Sequence, residues 1–297
     1  MKAKGSVAGK IKSAALQLHP SYQKSNAYEN IIVCWASRNQ FPKPIYPTNV
    51  YDDDAVDIVR PAIVYDNKKS SRSSWTKLYK RVKKLENQYD VELNEEHNDT
   101  GFAIFFFSQL LKLISNNPEL FDEQKEVSEW DFLMKFWSSI LERLFVKSGL
   151  RLKWGDTHLN NEGDESPSLK VDLKVLDDEV VQRYSQETEV AVAKFAKSSP
   201  GCAKFTSDRS KLQIEAKVVI DNHIRNDTNI TSVDSLQICG LEVFITNSKL
   251  EAPGLYVGNE IYHLQIDASL SRFGEYLGLI AHLLCFMVCW QCDILIH

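Results

Sequence analysis

The chain has 297 residues, of which 43% are apolar, 25% are charged and 10% are aromatic, and its formal net charge is -5. These values are close to the average for a soluble globular protein with one large domain or two ordinary ones. They exclude a histone-like polycation, an acidic disordered chain, collagen, a coiled coil and a multi-span membrane protein.

The N-terminal residues predict the compartment. Residues 1–20 contain no apolar segment of the kind found in a secretory signal peptide. The six cysteines are therefore expected to be reduced thiols, as in a cytosol or nucleus. We expect a nuclear or cytoplasmic protein.

A basic run at residues 67–84 (NKKSSRSSWTKLYKRVKK) has no acidic residue. Its two clusters, separated by ten residues, fit a bipartite nuclear-import signal, which implies an import receptor as partner. The same charges would also suit an arm that contacts phosphates. A third interpretation is the solvated face of a helix, because Trp75, Leu78, Tyr79 and Val82 recur at helical spacing. The residues of the import pattern are Lys68, Lys69, Lys80, Arg81, Lys83 and Lys84.

Two regions are predicted, with a boundary in the polar run at residues 94–100. Residues 1–98 are proline-interrupted and predict loops around one basic helix. Residues 99–297 predict an α/β domain. It begins with an apolar helix that starts near Asp99 or Thr100 and ends before Pro118.

The second helix of this region is predicted from Ser128, a good N-cap followed by acidic residues. Strands follow at 150–154, 169–176 and 188–197, where apolar side chains alternate or β-branched ones dominate. Residues 208–224 fit both a strand and a helix, and their length favours a helix.

The remaining elements are two strands, at 235–246 and 254–266, and an apolar closing helix. Residues 276–292 of that helix carry no charge, which allows a membrane tail anchor as an alternative to a buried core helix. The core helix is preferred, because His282 and Gln291 interrupt the segment and no basic cluster follows it.

The order αβββαβ, starting at Ser128, resembles the restriction-endonuclease-like fold of the PD-(D/E)xK nucleases. That resemblance implies an acid on the second core strand, an acid-x-Lys set on the third and often an acid on the first helix. It also implies Mg²⁺ as cofactor and DNA as partner. Carboxylates hold the metal ion at the scissile phosphate, and a lysine positions the attacking water or offsets developing charge.

Carried onto this chain, the resemblance assigns Asp172 to the second strand and Glu129 to the helix. On the third strand it assigns Glu189 and Lys197, with Asp172 and Glu189 as the metal ligands. No strict acid-x-Lys occurs there, since Lys194 stands where the acid is expected. If residues 208–224 were a strand, Glu215 and Lys217 would replace Glu189 and Lys197 as the acid-x-Lys pair. The alternative without catalysis is that Asp172 belongs to the solvated face of an edge strand.

The chain from residue 128 to about 290 is also similar to a group of uncharacterised proteins from early-diverging fungal genomes. The stretches that carry this similarity are SEWDFLMKFWSSILERLF, LRLKWGDT, KVDLKVLDD, DRSKLQIEAKVVID and the Gly-Leu-Tyr-Val near Leu255. We therefore expect an active or degenerate metal-dependent nuclease acting on DNA. The alternatives are a non-catalytic module that binds a nucleic acid or a protein, and a tail-anchored protein.

Overall fold

The computed structural model describes residues 34–35, 72–92, 99–146, 148–158, 170–181, 184–226, 228, 230–269 and 272–295. Its helices are α1 (Arg72–Glu92), α2 (Asp99–Asn116), α3 (Glu129–Phe132, continuing through Leu133–Trp137 and Ser138–Phe145), α4 (Cys202–Arg225) and α5 (Phe273–Leu295). Its strands are β1 (Cys34–Trp35), β2 (Leu150–His158), β3 (Lys170–Val181), β4 (Tyr184–Ala196), β5 (Ser232–Cys239), β6 (Glu242–Ala252) and β7 (Leu255–Gln265).

One mixed sheet organises the domain, in the order β1-β7-β6-β5-β4-β3-β2. Neighbours pair antiparallel except β4 with β5 and the two-residue β1 with β7, which are parallel. A parallel pair needs a long crossover, and α4 supplies it between β4 and β5. The predicted mixed α/β class is confirmed.

Helices α2, α3 and α5 contact one another, whereas α4 packs against β4, β5 and β6. The side chains between them form the main hydrophobic core. Helix α1 packs against α2 and adds Val82 to the same core, across the predicted boundary at residue 98.

The start of α3 follows the predicted chemistry. The Ser128 hydroxyl accepts a hydrogen bond from the Asp131 N–H, while the Asp131 carboxylate accepts one from the Ser128 N–H. This reciprocal pair satisfies two backbone donors that a helix start leaves open. Residues Leu133–Trp137 then form one π-helical turn before α-helix resumes.

Residues 208–224 lie within α4, so the helix prediction is confirmed and the strand alternative is wrong. Leu212, Ala216, Val219 and Ile220 form its buried stripe. They recur at helical spacing, and the length of the segment favours this spacing over the strand-like alternation of apolar residues.

The prediction of a single strand at 235–246 is wrong, because the chain reverses at Gly240. Cys239 pairs with Glu242 across a two-residue turn, and Gly240 has φ +64. The Trp137 indole N–H donates to the Gly240 carbonyl at 2.8 Å, which ties α3 to this hairpin. Two-residue hairpins favour glycine because its φ can be positive.

Alanine at Gly240 is expected to destabilise the protein more than alanine at Gly254. Both glycines have positive φ, which costs an L-residue about 1–2 kcal/mol. A Cβ at Gly240 would also lie 2.8 Å from Ser198 Cβ and 2.9 Å from its Cα, whereas a Cβ at Gly254 would meet nothing within 4 Å. Urea unfolding should show a loss of about 1 kcal/mol for Gly254→Ala and about 3 kcal/mol for Gly240→Ala. Equal losses would contradict the close approach of Ser198.

The closing helix α5 buries Tyr276, Leu279, Leu283 and Phe286 almost completely, as the core-helix interpretation predicts. Of the helices that the structure describes, none combines the length and apolarity needed to cross a bilayer. The burial of Tyr276, Leu279, Leu283 and Phe286 favours the core helix over the tail anchor.

Candidate functional site

A cleft of about 650 Å³ opens where β4 ends, between the first turn of α3 and the start of α4. Its lining includes Glu129, Asp131, Lys197 and Lys204. Glu129 belongs to α3, Lys197 follows β4 directly, and Lys204 lies in the first turn of α4. Three elements that are distant in sequence thus bring charged groups to one place.

Asp172 lies on β3, the strand that neighbours β4 in the sheet. The strand register pairs Leu173 with Ala193, which sets Asp172 across from Lys194 on β4. Asp172 Oδ2 accepts a hydrogen bond from the Phe195 N–H at 2.9 Å, and Oδ1 lies 3.5 Å from Lys194 Nζ. Its side chain keeps 28% of its surface exposed, so solvent reaches the carboxylate.

Lys194 is the centre of the cluster. Its side chain is only 8% exposed, and Nζ lies 3.2 Å from Glu215 Oε1 on α4 as well as near Asp172. The ammonium also donates to the Lys170 carbonyl. Lys194 therefore lies between the side chains of Asp172 on β3 and Glu215 on α4.

Glu215 is the most buried member, with 1% of its side chain exposed. Burial raises its pKa to about 8, although Lys194 acts in the opposite direction. Within the residues described, neither carboxylate oxygen makes a hydrogen bond. A carboxyl group held this way exchanges its proton near neutral pH.

Glu129 faces the cluster from α3. Partial burial and the negative charge of Asp172 both raise its pKa, while Lys204 lowers it. Burial opposes the rise in the pKa of Lys204, but its bond to Asp208 and the carboxylates of Glu129 and Asp172 outweigh that effect. Glu129 and Lys204 both line the cleft, and the charge of Asp172 acts on both of them.

The structure brings together Glu129, Asp172 and Glu215 of the sequence-predicted residues, and it separates Glu189 from them. Glu189 pairs with Leu176, four residues along β3 from Asp172, a distance of about 13 Å. Its carboxylate forms a 2.9 Å ion pair with Lys174, and both side chains are at most 4% exposed.

The two predicted lysines also lie outside the Lys194 cluster. Lys197 lines the cleft, but its side chain is 55% exposed and its Nζ lies 3.9 Å from Glu126 Oε1. Lys217 pairs with Asp221 and lies over the Tyr256 ring. Residues two apart on a helix point in different directions, so Lys217 does not join Glu215.

Sequence reasoning did not assign Lys194, Lys204 and Asp208 to the site. One signal was present for α4, because Lys204, Asp208, Lys211 and Glu215 fall on one side of a helix at i, i+4, i+7 and i+11. Asp208 is buried and pairs with Lys204 at 2.7 Å. No local pattern indicated Lys194, whose partners come from other elements.

The donor chemistry at the cleft fits Mg²⁺ in part. Mg²⁺ takes carboxylate oxygens and commonly uses one or two of them, with water and substrate phosphate filling its other positions. Asp172 and Glu129 would be those two carboxylates, rather than Asp172 and Glu189. In the described residues no three His, Cys, Asp or Glu side chains are close enough to share one ion.

Comparison of the chain with protein-family models, with curated proteins and with solved structures finds no match.

Proposed function

We propose that α3 to β5 form a restriction-endonuclease-like core and that the domain hydrolyses phosphodiester bonds in DNA. The observed element order α3, β2, β3, β4, α4, β5 is αβββαβ and supports this assignment. Acids on the first helix and the second core strand, Glu129 and Asp172, stand where the resemblance expects them.

The observation that carries the proposal is the convergence of Glu129, Asp172, Lys194 and Glu215 from four elements. Relative to the acid-x-Lys set, Lys194 stands at the position of the acid, and the second acid, Glu215, has moved to another element. The lysine lies on β4, and the second acid comes from α4. Residue types and charges are kept while their positions in the sequence change.

Each residue of this cluster has a role in the proposed reaction. Asp172 and Glu129 would hold Mg²⁺, which lowers the pKa of bound water and offsets phosphate charge. Lys194 offsets the negative charge that develops on the phosphate. Glu215 orients Lys194, and Lys204 attracts the substrate phosphate to the cleft.

The test is cleavage of supercoiled plasmid in the presence of Mg²⁺ or Mn²⁺. Asp172→Asn and Lys194→Met should each lower metal-dependent cleavage at least about 100-fold, because each removes charge that acts on the transition state. Asp177→Asn makes the same change as Asp172→Asn five residues further along β3 and should change the rate less than about threefold. Equal background cleavage in all four proteins would reject the proposal.

A non-catalytic nucleic-acid-binding module is the second candidate, and one observation favours it. Lys194 lies between Asp172 and Glu215, so an ammonium already neutralises part of the carboxylate charge that a metal ion would meet. Wild-type protein that binds plasmid DNA and never nicks it with either metal ion would select this candidate.

A further inference from the structure

Helix α1 presents a continuous row of cations to solvent. Lys77, Lys80, Arg81 and Lys84 are all exposed and recur at i, i+3, i+4 and i+7, which places them on one side of the helix. In the part of the chain that the structure describes, no carboxylate lies within ion-pair distance of any of them, whereas the neighbouring Lys83 pairs with Glu86 at 2.9 Å. We call these four residues the cationic stripe.

The apolar side chains that the structure describes in α1 pack into the hydrophobic core. Val82 is 3% exposed in the core, and Leu78, Tyr79 and Leu85 pack against it. A basic amphipathic helix binds a membrane surface by inserting its apolar face. Because α1 buries those side chains in its own domain, the stripe can only act through charge.

The same burial counts against the import signal predicted at 67–84. Lys80, Arg81 and Lys84 are held in a helix that is anchored through Val82, so reading them as an extended peptide would require α1 to unfold. The first cluster of that pattern, Lys68 and Lys69, lies outside the described residues.

We propose that the cationic stripe binds the phosphate backbone of duplex DNA without sequence preference. The stripe is about 10 Å long, at 1.5 Å per residue. Duplex DNA carries one negative charge per about 1.7 Å of its axis, so roughly six phosphates of the two strands lie along a duplex segment of that length. The four cations are exposed on one side of a helix and have no ion-pair partner among the described residues, so they suit such a charge density. This contact is independent of the chemistry at the cleft.

Binding is tested with a labelled 20-base-pair duplex in EDTA, so that cleavage cannot occur, by fluorescence anisotropy between 50 and 200 mM salt. Changing all four stripe residues to Gln should reduce the slope of log K against log salt by about 3 to 4, since each phosphate contact contributes about 0.9. The matched control removes four exposed cations elsewhere, at Lys112, Lys125, Arg225 and Lys249. It should reduce the slope by less than about 1, and melting curves check that both variants are folded.

Equal slopes for the stripe variant and the control would overturn the proposal, because net charge alone would then explain binding. Absence of duplex binding at 50 mM salt, or binding that does not weaken towards 200 mM salt, would also overturn the proposal. Tighter binding of an RNA duplex of the same sequence would overturn it as well. In another outcome, an import receptor retains the wild type but not the stripe variant, while the wild type fails to bind the duplex. That result would replace the DNA-binding proposal with the import signal. A catalytically inert chain that still shows the slope change would reject the nuclease and keep the stripe.

Discussion

A Lys174→Met variant is expected to lose about 3 to 5 kcal/mol of unfolding free energy in urea at pH 7. Lys174 and Glu189 form an ion pair that is almost fully buried between β3 and β4. Removing one partner of such a pair leaves a charge that the interior cannot solvate. Lys174→Met combined with Glu189→Leu should recover most of the loss, because apolar side chains of similar size replace a buried pair at little cost.

Lys153→Met is the matched control, since it makes the same change at a lysine whose partner also lies on β4. Lys153 pairs with Glu187 at 2.7 Å, but the two side chains are 37% and 33% exposed. The loss there should stay below about 1 kcal/mol. A loss of the same size in Lys174→Met and Lys153→Met would mean that the Lys174 pair is not buried in solution. If Lys174→Met loses much unfolding free energy while its folded fraction still cleaves DNA, Glu189 is a residue that stabilises the fold and not one that takes part in cleavage.

The free energy of unfolding should fall by about 1 to 2 kcal/mol between pH 6.5 and pH 8, and Glu215→Gln should remove this fall. The pKa of Glu215 is raised from 4.5 to about 8 in the folded protein. In the window between those values the folded state binds more protons than the unfolded state, so stability decreases as pH rises. Urea unfolding at half-unit pH steps measures the slope.

The pKa values of two other groups, His223 and Glu129, also make stability depend on pH. Burial lowers the pKa of His223, so its effect on stability lies below pH 6.5 and has the opposite sign. Burial and the charge of Asp172 also raise the pKa of Glu129, so its contribution to stability likewise decreases as pH rises from 4.5. A Glu215→Gln protein that keeps the full wild-type slope would show that Glu215 does not carry the buried proton.

Local patterns were sufficient for much of the fold. The capping pair at Ser128 marks the start of α3, and alternation marks β3. The turn at Gly240 was missed because β5 and β6 are both buried, so apolar residues continue through the turn with only one glycine between them. A strand that is buried on both faces lacks the alternation of polar and apolar residues that would otherwise mark where it ends.

The site was less predictable because it depends on register and packing. The pairing of β3 with β4 shifts between Val175 and Leu176, and without that shift Asp172 would lie opposite Ala193 instead of Lys194. Nothing in the sequence of either strand specifies that shift. The contact between Lys194 and Glu215 requires α4 to lie on β4, and that arrangement is decided by the buried side chains of the whole domain.

The π-helical turn at Leu133–Trp137 gives α3 two helical phases. Each added residue advances an α-helix by about 100°, and a π turn contains one more residue than the regular spiral. The buried residues Ile140, Leu141 and Leu144 follow the phase after the turn, whereas Glu129 follows the phase before it. A helix shortened by that one residue would rotate its first turn, which would turn Glu129 away from Asp172 and move the buried Phe132. The extra residue therefore sets the direction of Glu129 relative to the buried residues that follow the π-helical turn.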